Sequence, residues 1–144
     1  MKKEFESRIG VNGIEIIDFE KFINRRLLPQ ELKKNWIAAL KSGQYVHGKG
    51  FLYRNGCHCC LGVGCELVGD ERTSIGFDYF FVTPKGRSDK YIPDGSPLLQ
   101  FMDNKGTLPG VAIEIGGILI TSLSGVNDLM KDYKLQIQLI EMLW

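Results

Sequence analysis

Apolar residues recur at helical spacing in three parts of this chain. Leu32, Trp36, Ala39 and Leu40 share one face of residues 30–41, with Pro29 at the start, Gly43 past the end and Lys33, Lys34 and Lys41 mostly elsewhere. Leu135, Leu139, Ile140 and Leu143 form a second stripe and predict a closing helix over about 132–143. A shorter stripe, Phe19, Phe22 and Ile23, follows Asp18, which is suited to cap it. Residues 60–68 predict one more short helix, stopped by Gly69. Its Gly62 and Gly64 weaken helix propensity but let another backbone come close.

Strand signals are brief. Phe51-Leu52-Tyr53 leads into the turn residues Arg54-Asn55-Gly56, and the aromatic, β-branched run 77–82 ends at Pro84-Lys85-Gly86. Residues 111–115 and 118–121 flank Gly116-Gly117, and 9–11 and 14–17 flank Asn12-Gly13, so each pair predicts a hairpin. Residues 70–74 read as a polar connection. The Gly-, Pro- and Asp-rich stretch 84–110, broken by Leu98-Leu99-Gln100-Phe101-Met102, reads as a long surface excursion fit for a lid or binding loop. These elements predict one α+β domain over 29–144, with short antiparallel strands and hairpins packed against two to four helices. Residues 1–28 form an N-terminal extension.

Composition narrows the class. Hydrophobic residues are 44% of the 144, enough for a core and against wholesale disorder. Eighteen basic and 17 acidic residues leave a formal charge of +1, which gives no overall pull toward nucleic acid or membrane. The charged start Met1-Lys2-Lys3-Glu4 leads into no signal-type apolar region, and no apolar run is long enough to span a bilayer. A cytoplasmic setting is expected, where thiols stay reduced.

All four cysteines fall within Cys57-His58-Cys59-Cys60-Leu61-Gly62-Val63-Gly64-Cys65. Such a run can hold zinc, act through a thiolate, or form a buried small-residue centre. A structural zinc site draws ligands from two separated knuckles, and no second knuckle exists here; adjacent residues also point in different directions. A reactive thiol needs a cationic neighbour or a helix start, which Arg54, His58 and the predicted helix permit, but the Cys57–Cys60 spacing lacks a thioredoxin-like setting. The packed-scaffold reading is preferred, with no metal and no cofactor assigned.

Other candidate chemistry is polar and scattered. His47-Gly48-Lys49-Gly50 sets a lysine between glycines whose N–H groups can cradle an anion, without matching a P-loop or dinucleotide fingerprint. Lys85-Gly86-Arg87-Ser88 is a second small basic loop. With Tyr45, Tyr53, Arg54 and Tyr91, these loops suit a nucleotide, cations meeting phosphate and aromatic rings meeting the base. Asn127-Asp128 reads as a turn or helix cap. Glu114 and Glu141 are solitary, so no acid–base pair is proposed.

The segments Trp36-Ile37-Ala38-Ala39-Leu40-Lys41-Ser42-Gly43-Gln44-Tyr45, Cys59-Cys60-Leu61-Gly62-Val63 with Cys65, and Leu123 with Asn127-Asp128 resemble a set of small bacteriophage and prophage proteins. Those share W-x-x-A-L-x-S-G-x-Y, C-C-L-G-V-x-C and L-N-D motifs and are mostly of unassigned function. Val126 and Gly64 stand where that set commonly has leucine. The resemblance implies a phage accessory protein, a class that often antagonises host defence. The expectation is therefore a non-enzymatic protein that binds and sequesters a small phosphorylated nucleotide through Tyr45, Lys49, Tyr53, Arg54, Arg87 and Tyr91. The alternatives are a module that binds a host defence protein and a small zinc-stabilised module. The apolar end Leu139-Ile140-Met142-Leu143-Trp144 is expected to support self-association into a homo-oligomer.

Overall fold

A computed structural model of the protein describes residues 13–144. The architecture is α+β, with five α-helices and nine strands among the described residues. In chain order these are β1 (Ile14–Ile16), α1 (Phe19–Ile23), α2 (Gln30–Lys41), β2 (Val46–His47), β3 (Tyr53–Arg54), β4 (Cys57–His58), α3 (Cys60–Leu67), β5 (Glu71–Ile75), β6 (Asp78–Thr83), β7 (Gly86–Ser88), β8 (Val111–Ile115), β9 (Ile118–Ile120), α4 (Leu123–Leu129) and α5 (Lys134–Leu143), with a 3-10 turn at Pro97–Gln100. The strands form three small sheets ordered β1-β8-β9, β2-β4-β3 and β5-β6-β7. Only β2 and β4 run parallel.

Helix α3 is the centre of the packing. Every residue from Cys60 to Cys65 is buried. Its glycines are where neighbours press in: a methyl on Gly62 would overlap the Leu52 carbonyl, and one on Gly64 would lie 2.9 Å from the Trp36 ring. Trp36 crosses from α2 fully buried and donates its indole N–H to the Cys60 carbonyl at 3.0 Å. That bond lets a large polar-edged ring sit in the core without an orphaned donor. Leu40 of α2 and Leu139, Ile140 and Leu143 of α5 join the same core.

Several elements differ from the sequence reading. The expected strand at 51–53 lies two residues later, and Asn55 (φ 52°) and Gly56 (φ 81°) make the tight turn from β3 to β4. Residues 70–74 are not a connection: Glu71–Ile75 is a strand paired throughout with β6. Its residues are all exposed, so it lacks the apolar alternation that marks a half-buried strand. The stretch 84–110 is not a surface excursion either, because it buries Ile92, Leu98, Met102 and Leu108. It is tied down by Ile92 N–H to the Asn104 carbonyl (2.9 Å) and Leu108 N–H to the Thr121 carbonyl (2.7 Å).

The C-terminal residues Leu139, Ile140, Leu143 and Trp144 face the protein's own interior, and only Met142 of the expected self-association surface is partly open. That face is consumed by folding. Of the predicted Asn12-Gly13 hairpin, residues 9–12 lie outside the described residues; Ile14–Ile16 pairs antiparallel with β8.

Candidate functional site

The cysteine run leaves one thiol near solvent. Cys57 is half-buried on β4, while Cys59, Cys60 and Cys65 are buried and all four are free thiols. Cys59 occupies the N-cap of α3, where its sulfur accepts the Gly62 N–H at 3.4 Å. The helix-start N–H groups favour a thiolate there, but burial outweighs them and raises its pKa to about 11. Burial also pushes Cys60 and Cys65 well above the ordinary thiol range, with Cys59 and Asp70 as the respective next causes. These three are neutral packing groups at neutral pH. Titration with a thiol reagent should modify one cysteine per native chain, Cys57, and all four in denaturant; rapid native reaction of a second would contradict this.

His58, beside Cys57 on β4, is bracketed by aromatic rings. Tyr45 meets it edge-on at 5.0 Å and Tyr53 at 4.7 Å, and Tyr53 in turn carries Tyr79 at 5.1 Å and the Arg72 guanidinium at 3.9 Å. The Glu66 carboxylate is 3.8 Å from Nε2, too far for a hydrogen bond, and neither ring nitrogen has a hydrogen-bond partner among the described residues. Burial, then the charge of Arg72, lowers the His58 pKa to about 4. A folded-state value below the unfolded 6.5 means the unfolded chain binds the extra proton first. The stability so gained is present above pH about 6.5 and is lost as pH falls toward 4, on the order of 3 kcal/mol. The urea midpoint should fall across that window, and His58→Phe should remove that part of the slope; an unchanged slope would refute the assignment.

The loop His47-Gly48-Lys49-Gly50 is fastened from behind by Asn127 and Asp128, which lie in α4 rather than in a turn. Asn127 is fully buried. Its Oδ1 accepts from the Cys60 N–H and from Gln136 Nε2, both at 3.1 Å, and its Nδ2 donates to the Gly48 carbonyl at 2.7 Å. His47 Nε2 lies 3.1 Å from the Asn127 carbonyl, an arrangement that requires the proton on Nε2. Asp128 Oδ1 accepts the Gly50 N–H at 2.8 Å, and Gly48 N–H donates to the His58 carbonyl at 2.8 Å. The sequence reading offered these backbone N–H groups to an anion. Both glycine N–H groups are already spent inside the protein, so recognition at this loop leans on its side chains instead of those two donors.

Those side chains converge on a hollow of about 300 Å³ lined by Gly48, Lys49, Phe51, Arg54, Asn55 and Cys57. Arg54 lies over the Phe51 ring at 4.4 Å, which holds the guanidinium in place while leaving the residue exposed. Of the six expected ligand residues, Lys49 and Arg54 meet here. Tyr45 and Tyr53 lie behind, against His58. Arg87 pairs with Val82 and stacks on Phe80 at 5.0 Å, on the face of β6 opposite to Tyr79 and Tyr53. Tyr91 lies between the Lys90 and Lys105 ammonium groups at 5.6 and 5.4 Å. Neither Arg87 nor Tyr91 lines the hollow.

The sequence reading missed the fastening by Asn127. The available signal was an amide sharing the helical spacing of Leu123, Val126 and Met130, on what is otherwise an apolar stripe. No three His, Cys, Asp or Glu side chains among the described residues gather closely enough to hold a metal ion, and no described helix is long and apolar enough to cross a membrane.

Residues 28–115, more than half of the chain, match the profile of the Domain of unknown function (DUF8296). The chain belongs to this family. The matched region holds α2, the fastened loop, the whole cysteine run and the β5–β7 sheet, whereas Asn127 and Asp128, which secure that loop, lie beyond it. No curated protein and no solved structure matches the chain.

Proposed function

We propose that this DUF8296 protein is a non-enzymatic binding protein that captures a small phosphorylated nucleotide, with the phosphate held between Lys49 and Arg54. The observation that carries this reading is the meeting of two exposed cations and the Asn55 amide on one hollow, beside a loop that Asn127 and Asp128 hold rigid. Arg54, held over the Phe51 ring, meets phosphate with a planar fork of donors at little ordering cost, and Lys49 adds a second positive charge. At about 300 Å³ the hollow is at the small end of ligand pockets, so it suits the phosphate end of a nucleotide while the base stays at the rim. Cys59, Cys60 and Cys65 are protonated and buried, so Cys57 is the one thiol that lines the hollow. The motif resemblance to phage proteins supplies the setting: sequestration of a host nucleotide signal.

A thermal-shift series with cyclic and linear nucleotides, and with inorganic phosphate, tests capture, because a ligand that binds only the folded state raises its melting temperature. The expected result is a rise with a nucleotide that is recovered chemically unchanged. No rise with any of them, or conversion of the nucleotide, would overturn the proposal. A second reading, a module that docks on a host protein, is favoured by one observation. Ile75 and Phe77 stand at the β5–β6 tip with 56% and 96% of their surfaces exposed.

A further inference from the structure

The edge of the β5-β6-β7 sheet carries an unspent pairing surface. β5 is the outer strand, its five residues are all exposed, and it pairs with β6 without interruption from Glu71↔Val82 to Ile75↔Asp78. The two-residue loop between them has Gly76 at φ 62° in its first position, the arrangement of a type II′ hairpin. In that geometry Ile75, Thr73 and Glu71 exchange their backbone hydrogen bonds with β6. The N–H and C=O groups of Arg72 and Ser74 therefore point outward, away from the sheet. No other strand among the described residues pairs with that side.

Edges of this length are usually blunted by proline, a bulge or an outward lysine. Glu71-Arg72-Thr73-Ser74-Ile75 has no proline or lysine, and its register has no bulge. Its one cation does not guard the edge, because the Arg72 guanidinium is folded back over Tyr53.

We propose that β5 pairs antiparallel with β5 of a second copy of this chain, joining two three-stranded sheets into one of six strands. This rests on the edge alone and is independent of the nucleotide reading. The residues select the register. Arg72 opposite the second copy's Ser74 lets each pair exchange two backbone hydrogen bonds, twice across the two-fold axis. Thr73 then faces its own counterpart at the axis, a β-branched pair suited to a close, non-hydrogen-bonded position. Glu71 faces the exposed Ile75, so no like charges meet. A shift that brings Arg72 onto Arg72 opposes two cations, and one that brings Ser74 onto Ser74 runs the Gly76 turn into the ladder.

Sedimentation of the full chain over a concentration series tests the pairing. The wild type should be a dimer in equilibrium with monomer. Ser74→Pro deletes an outward N–H on each copy without touching the β6 ladder, and should raise the dissociation constant about tenfold or more. Thr73→Lys and Thr73→Glu should each weaken association alone, and an equal mixture of the two should restore it. That rescue is specific to residue 73 facing itself, and it decides the matter even if the proline variant fails to fold. A wild type monomeric throughout, or dimers indifferent to these changes, would overturn the proposal.

Discussion

Gly62→Ala should leave this protein unable to hold its native structure. The added methyl would overlap the Leu52 carbonyl, a backbone group that cannot swing aside as a side-chain tip can. Leu52 is itself fixed at both ends, its N–H donating to the Asp89 carbonyl at 2.8 Å and its carbonyl accepting from Cys59 at 3.3 Å. Relief would require α3 to move off the segment that leads into β3, opening the core around Leu61 and Val63. Overpacking commonly costs about 1–3 kcal/mol, but a clash with immobile backbone belongs at the upper extreme, above about 4 kcal/mol. Gly43→Ala is the matching control: nothing lies within 4 Å of its added methyl, so its cost is confined to the strain of φ 77°. Chemical denaturation of both variants checks the contrast. A Gly62→Ala protein within 1 kcal/mol of wild type, on the order of an ordinary surface change, would show that α3 does not seat against Leu52 in this way.

Asn127→Ala should be the second most damaging change, at roughly 3–5 kcal/mol. It strands the buried Cys60 N–H and Gln136 amide and takes the donor from the part-buried Gly48 carbonyl. Unpaired buried polar groups cost more than the bonds they lose, and two are orphaned together while a third bond is lost beside them. Asn127→Asp should not rescue, because a carboxylate would face the Gly48 carbonyl in place of a donor. Asp128→Ala removes one bond at a half-exposed position and should cost only about 1 kcal/mol. Urea midpoints of the three variants give the order. Asp128→Ala proving worse than Asn127→Ala would contradict the assignment of Asn127 as the buried tie.

Much of this fold is written in local periodicity. The stripes of α2 and α5 and the Gly116-Gly117 hairpin are readable because one face of each is apolar at a fixed spacing. Helix α3 is readable through its stop at Gly69 (φ 84°). Strand β5 was illegible because its residues bury nothing and owe their conformation to the ladder with β6. Helix α4 was illegible for another reason. Ser124, Gly125 and Asn127 are poor helix formers within seven residues, and the helix is held by the Ser122 cap and by contacts with α3 and α5. The stretch 84–110 buries Ile92, Leu98, Met102 and Leu108 at irregular intervals, which no period detects.

The candidate site divides along the same line. Lys49 and Arg54 lie five positions apart, so local sequence brings them together. Whether Arg87 joins them depends on which face of β6 it shares, and that is settled by strand register rather than by composition. The bonds that fasten the loop join residues 67 and 79 positions apart in the chain, Cys60 to Asn127 and Gly48 to Asn127, and nothing local announces them.

The division of labour between a packed thiol centre and a cationic hollow is tested most directly by calorimetric titration of a nucleoside polyphosphate. Wild type should be compared with the Lys49→Ala/Arg54→Ala double variant, and the ligand recovered afterwards for mass analysis. The expected result is saturable binding by the wild type, loss of at least about tenfold in affinity by a variant that melts normally, and unchanged nucleotide in both. Equal binding by the two proteins, or a nucleotide consumed by the wild type, would contradict it.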